Sequence, residues 1–156
     1  MKLASKLAIL MDFAQKICYN LTRIGGIIMD EELKERIFRI LSELPTEKSY
    51  IDYKQIPYLE NKKADFIADV CGFLNSIDSY KKDKFIIFGV QDKPLKRKGI
   101  KKELMDDDAS YQDLCDKIQP RPIVETGIIK FEEDGYDYGY VYIPKENTDR
   151  IYSICE

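Results

Sequence analysis

The chain has 156 residues, 44% hydrophobic, 34% charged and 12% aromatic, a composition that supports one folded domain with a proper core and excludes a disordered chain. Histidine is absent and the net charge is −3. The first fact excludes Ser-His-Asp and Cys-His catalysis and H-E-x-x-H zinc sites, and the second excludes a global basic field, so catalysis would have to run on carboxylates, lysines or tyrosines and any contact with nucleic acid would have to be local.

Leu3, Leu7, Leu10, Ala14, Ile17, Leu21 and Ile24 alternate spacings of four and three, which predicts an amphipathic helical arm over residues 1–28 ending at Gly25-Gly26 and suited to homo-oligomerisation. Lys6, Asp12 and Lys16 interrupt any signal-peptide core or membrane span there. Together with four dispersed cysteines that form no C-x-x-C pair, this predicts a cytoplasmic protein with reduced thiols. A second helix is expected over 29–46, capped by Asp30, with Leu33, Ile37, Ile40, Leu41 and Leu44 as its apolar face and Pro45 as its stop.

Lys48 to Gln55 alternates and predicts a strand, with Tyr50, Asp52 and Lys54 on one face. After Pro57, the positions Ala64, Ile67, Ala68, Cys71 and Leu74 mark an amphipathic helix that turns Asp65 and Asp69 elsewhere. The unbroken apolar run Phe85 to Val90 is the signature of a strand buried on both faces, in the middle of a sheet. Asp106-Asp107-Asp108 supplies caps for a helix from about Ala109 to Ile118, stopped by Pro120. The rest predicts a hairpin, Ile123 to Glu133 and Tyr136 to Ile143, joined by a type I′ turn at Asp134-Gly135, with four tyrosines on one face of the second strand. Those tyrosines read as a half-buried sheet surface or, with Arg121, as a base-stacking surface. The expected fold class is mixed α+β in the order α-α-β-α-β-α-β-β, with a tail over 146–156.

Glu47 before a strand, Asp52 within it, and Lys54 on the face of Asp52 offer hard oxygens for Mg²⁺ or Mn²⁺ and a cation for a phosphate oxygen. Asp92 follows the buried strand, so if the two strands pair, about 5 Å apart, their acids can share one metal. Lys81, Lys82, Lys84, Lys93, Lys96, Arg97, Lys98, Lys101 and Lys102 stand against only Asp83 and Asp92 in the same stretch. Beside the carboxylates this predicts a phosphate track that grips backbone without reading sequence.

Glu47-x-x-x-x-Asp52-Tyr53-Lys54, the helix end Gly72-Phe73-Leu74-Asn75-Ser76, the strand Phe85 to Val90 with Asp92, and Asp108-Ala109-Ser110-Tyr111-Gln112 together resemble the Schlafen-type AlbA domain over about Glu47 to Ile143. The resemblance implies a Schlafen/AlbA-like core over 47–145 and nucleic acid as the partner, RNA before DNA. Schlafen members that are endoribonucleases on tRNA and rRNA use two acids of an E-x-x-x-x-E-x-K segment and one of a G-V-x-D segment. By position the resemblance makes Glu47, Asp52 and Asp92 the metal-binding acids and Lys54 their lysine, the four catalytic residues. Two departures stand out: Asp52 is one methylene shorter than the family's glutamate, and Ser76 to Lys81 replaces a glycine pair. A metal-dependent endoribonuclease, a non-catalytic regulatory or defence module that binds DNA or RNA, and an oligomerising protein with a vestigial site all remain open.

Overall fold

The computed structural model describes residues 31–155, so the expected arm over 1–28 lies outside the described residues. The chain divides into two compact units, residues 1–42 and 43–156. Helix α1 covers residues 31–43 and buries Leu33, Ile37 and Leu41. It stops where Leu44 takes a positive φ of 43° ahead of Pro45.

The second unit opens with strand β1 (Ile51–Lys54) and helix α2 (Lys63–Leu74). Strand β2 (Lys84–Phe88) runs into the short β3 (Val90–Gln91) and β4 (Lys96–Arg97). Helix α3 (Asp108–Cys115), β5 (Ile118–Gln119), β6 (Glu125–Phe131), β7 (Tyr136–Ile143) and β8 (Ser153–Ile154) complete it. The main sheet has the order β1-β2-β7-β6, with β1 parallel to β2 and the other pairs antiparallel. The expected mixed α+β class holds. The run Phe85 to Phe88 is fully buried because β2 is indeed interior, flanked on both edges.

Helices α2 and α3 cover one face of this sheet. Ile86, Phe88, Val141 and Ile143 from the strands meet Phe66, Ile67, Val70 and Tyr111 from the helices in one cluster. Burying each such side chain contributes about 1.5–3 kcal/mol. The expected stripe of 64, 67, 68, 71 and 74 is corrected: Ala64 and Ala68 are exposed, and the buried face of α2 is Phe66, Ile67, Val70, Cys71 and Leu74, rotated toward the larger side chains. Asp107 caps α3, accepting the Ser110 N–H at 2.9 Å. Asp108 ties the helix to β6, accepting the Thr126 N–H at 3.1 Å and its hydroxyl at 2.7 Å.

Two expectations change. Phe131 pairs with Tyr136, so the hairpin loop holds residues 132–135 and is not a two-residue turn. Gly135 closes it at φ 76°, donating to Phe131 O, while the Asp134 carboxylate accepts from Tyr136 N–H and the Tyr138 hydroxyl, at 2.9 and 2.6 Å. The residues expected as a tail are structured: β8 pairs with β5, Tyr152 is buried, and the Asn75 amide exchanges two 2.9 Å hydrogen bonds with the Tyr152 backbone. Tyr138, Tyr140 and Tyr142 are buried and only Tyr136 of that face is exposed, which removes them as a platform for bases. Among the described residues Cys71, Cys115 and Cys155 are free thiols, and no helix is long and apolar enough to cross a membrane.

Candidate functional site

A straight strand from Lys48 would carry Glu47 about 17 Å from Asp52, at 3.3 Å per residue. The chain turns instead. Lys48 and Ile51 exchange backbone hydrogen bonds at 3.1 Å, so the strand begins at Ile51 and the segment before it folds back. The Tyr53 hydroxyl donates to Pro45 O at 2.7 Å and the Tyr53 N–H to Glu47 Oε1 at 3.0 Å, which pins the Glu47 carboxylate alongside β1. Within β1, Ile51 and Tyr53 are buried and Asp52 and Lys54 are half-buried on the other face, as the alternation requires.

Asp92 arrives by a different route. The parallel register sets Lys54 opposite Phe88. At the next residue, Gly89, the chain leaves the main sheet at φ 99°, its N–H still bonded to Lys54 O at 2.8 Å. A side chain would not fit there: a Cβ would meet Tyr138 Cδ1 at 2.9 Å and the Gly99 backbone at 3.0 Å. Beyond this kink β3 and β4 form a ribbon whose turn carries Asp92 back toward Glu47.

The three carboxylates influence one another. Partial burial pushes the Glu47 pKa up, a hydrogen bond shared with Asp52 and the charges of Asp52 and Asp92 add to that, and the Tyr53 N–H opposes it. Hard carboxylate oxygens suit Mg²⁺ or Mn²⁺, and a divalent cation relieves repulsion of this kind, so the donor set fits in its chemistry. The side chains are not drawn in as ligands, however. Among the described residues no set of three or more Asp, Glu or Cys groups stands close enough to hold an ion.

Lys54 is more fully engaged than the sequence indicates. Its Nζ lies 3.0 Å from Asp52 Oδ2 and 3.0 Å from Asp69 Oδ2, and the Tyr58 hydroxyl donates to the same Asp69 oxygen at 2.6 Å. The ammonium also sits 5.4 Å from the Tyr58 ring centre. Burial alone would lower the Lys54 pKa, but hydrogen bonds and charge from Asp52 and Asp69 outweigh it and hold the group above the ordinary lysine value. Lys54 is therefore a fixed cation and not a base. Asp69 and Tyr58 are absent from the residues that the sequence singles out; the signal that could have found them is the Asp52-Lys54 face, which turns toward α2 and so calls for a partner on that helix.

The nine basic residues of 81–102 do not share one surface. Lys84 is buried at the start of β2 with its ammonium on Phe73 O, so it is no part of an exposed track. Lys81 and Lys82 lie in the turn before β2, over the rings of Tyr80 and Tyr50 at 5.3 and 4.7 Å. Arg97 is held by Glu133 at 3.4 Å, by Asp134 at 3.3 Å and against the Phe131 ring. Lys102 is 3.8 Å from Asp137, and Lys93, beside Asp92 at 3.8 Å, is almost wholly exposed. Lys96, Lys98 and Lys101 are exposed around the ribbon that carries Asp92. The usable part of the track is thus Lys93, Lys96, Lys98 and Lys101.

No curated protein matches the chain in sequence. A family model described as Schlafen, AlbA_2 matches residues 47–154, a span that begins at Glu47, ends in β8 and takes in every element of the main sheet. The chain belongs to the Schlafen AlbA_2 family.

Proposed function

We propose that this protein binds nucleic acid by its phosphates and cleaves RNA, structured RNA such as tRNA first, at the site formed by Glu47, Asp52, Lys54 and Asp92. The observation that carries the reading is that Asp52 and Asp92 both raise the Glu47 pKa, beside a lysine fixed by two acids. Like charges that influence one another from two segments disfavour the fold, and such an arrangement is characteristic of functional sites. Glu47, Asp52 and Asp92 would hold Mg²⁺ or Mn²⁺. The bound ion would polarise the scissile phosphate and lower the pKa of an attacking water. Lys54, permanently protonated, donates to a phosphate oxygen as negative charge builds there, and Asp69 with Tyr58 fixes the direction from which it does so. Lys93, Lys96, Lys98 and Lys101 hold the flanking backbone without reading bases.

A second reading, binding without cleavage, is favoured by Asp52 being spent on Lys54 and by the absence of a gathered ligand set among the described residues. One set of experiments separates the two. Under the first reading the protein cuts tRNA with Mg²⁺ or Mn²⁺ and Asp92→Ala does not, while both bind it. Equal cutting by wild type and variant, or no cutting by either, removes the nuclease. Under both readings binding weakens with salt, and replacing Lys96, Lys98 and Lys101 with alanine flattens the log-log slope by about 0.7–0.9 for each phosphate that is no longer neutralised. An unchanged slope would remove this surface as the nucleic-acid interface.

A further inference from the structure

A cavity of about 580 Å³ opens where the C-terminal end of α2, the start of β2 and the end of β7 meet, away from the carboxylate site. Its volume is in the range of small-molecule sites. Three cations line it, Lys82, Lys84 and Arg150, and none of them has a carboxylate partner among the described residues. The single acid of the lining, Asp149, already accepts from the Tyr80 hydroxyl.

Lys84 is the informative one. It is only 7% exposed, its ammonium has one protein acceptor, Phe73 O, and burial lowers its pKa. A buried ammonium carries three donors, and the two that Phe73 O leaves over face a cavity in which water or an anion can accept them, an anion also offsetting the buried charge. The rest of the wall is apolar, with Leu74, Ile143 and Pro144 inside and Ile77 and Ile151 almost fully exposed at the mouth. Three positive charges against one negative leave an excess of two. That excess matches a phosphomonoester, which carries about −1.5 to −2 at neutral pH.

We infer that this cavity is a binding site for a small phosphomonoester with an apolar or aromatic body, of mononucleotide size, its phosphate on Lys82, Lys84 and Arg150 and its body against Leu74, Ile143 and Pro144. The site is separate from the proposed catalytic acids and does not depend on that reading.

Calorimetric titration of the full chain with AMP, adenosine and inorganic phosphate tests it. AMP should bind one to one, with adenosine and phosphate each weaker by about tenfold or more because each lacks half of the complementarity. Arg150→Ala changes an exposed residue and should keep the fold while weakening AMP by about tenfold or more, as should Lys84→Met, checked for folding by circular dichroism. Asp92→Ala and the triple variant of Lys96, Lys98 and Lys101 should leave AMP binding unchanged. No saturable AMP binding, equal binding of adenosine, or full binding by Arg150→Ala would overturn the assignment. Loss of AMP binding in Asp92→Ala would place it at the carboxylate site and overturn it equally.

Discussion

Asp69 is the residue on which the reading of Lys54 turns, and replacing it with alanine has two separable consequences. The Tyr58 hydroxyl, on a residue only 6% exposed, loses its acceptor at 2.6 Å, and an orphaned buried donor costs about 1–3 kcal/mol. The Lys54–Asp69 pair, whose side chains are 29% and 39% exposed, is partly screened and contributes about 0.2–1 kcal/mol. Asp69→Ala should therefore destabilise by about 1–4 kcal/mol, while Asp69→Asn, which keeps an acceptor for Tyr58 and loses only the charge, should cost less than about 1 kcal/mol. Tyr58→Phe should cost about 1 kcal/mol, and the double variant should fall short of the sum by about as much, since both singles break the same bond. Urea unfolding followed by circular dichroism measures all four, with an unchanged slope confirming that only stability has moved. In Asp69→Ala the lysine is left to Asp52 alone, so RNA cleavage should fall by about tenfold through mispositioning. RNA affinity, which the proposed function assigns to the ribbon lysines, should change less than about twofold. An Asp69→Ala cost under about 0.5 kcal/mol, or strict additivity with Tyr58→Phe, would refute the bridging role.

Glu47→Gln should stabilise the protein near pH 7 by about 0.5–1 kcal/mol, since it removes a partly buried charge and its screened repulsion with Asp52 and Asp92 while Gln keeps an acceptor for the Tyr53 N–H. A carboxyl whose folded pKa is raised weakens the fold once it ionises. The gain should therefore be absent below the ordinary value of 4.5 and grow as pH rises through the folded value, which unfolding curves between pH 4 and 8 would show. Gly89→Ala should cost about 2–4 kcal/mol, combining a φ of 99° with a Cβ forced onto Tyr138 and Gly99, and thermal unfolding reads it directly. Asp108→Ala, which leaves the buried Thr126 N–H and hydroxyl without their acceptor, should cost about 2–3 kcal/mol by the same measurement.

Short-range patterns make much of this fold legible. The alternation through Asp52 and Lys54 places both on one face of β1, and the apolar run of β2 places it inside the sheet, because each pattern is fixed by the two-residue period of a strand. What needs tertiary information stays hidden. The turn from Lys48 to Ile51 has no glycine, proline or asparagine to announce it, and it sits within an alternation that continues to read as strand. Its closure depends on Tyr53 reaching Pro45 and Glu47. The hairpin loop reads as a type I′ turn because Asp134-Gly135 is a strong local signal. There the Asp134 carboxylate serves Tyr136, Tyr138 and Arg97 together, and the four-residue loop is what lets it do so. Asp69 belongs to a helix whose polar side reads as solvated, and only the crossover from β1 through α2 to β2 brings it to Lys54.

That crossover also explains why charge summed along the sequence misplaces the basic stretch. Lys82 and Lys84 lie at the beginning of β2, and Lys93 to Lys101 follow its end, with the five residues of Lys84–Phe88 between them, a span of about 17 Å. Residues a few positions apart in the chain thus serve opposite ends of one strand. The C-terminal end, where β1 stops and Gly89 diverts the chain, has three acids that influence one another, a fixed lysine and the exposed ribbon lysines; the N-terminal end has three cations around a cavity. A separation of that size exceeds the screening length of about 8 Å at physiological salt, so on the proposed readings the two ends would act on phosphates independently. Arg150→Ala combined with the ribbon variant should then lose affinity for AMP and for RNA separately, each by the amount its own single variant loses, within about 0.5 kcal/mol. Coupling beyond that would mean that one phosphate-bearing ligand spans both ends of the strand.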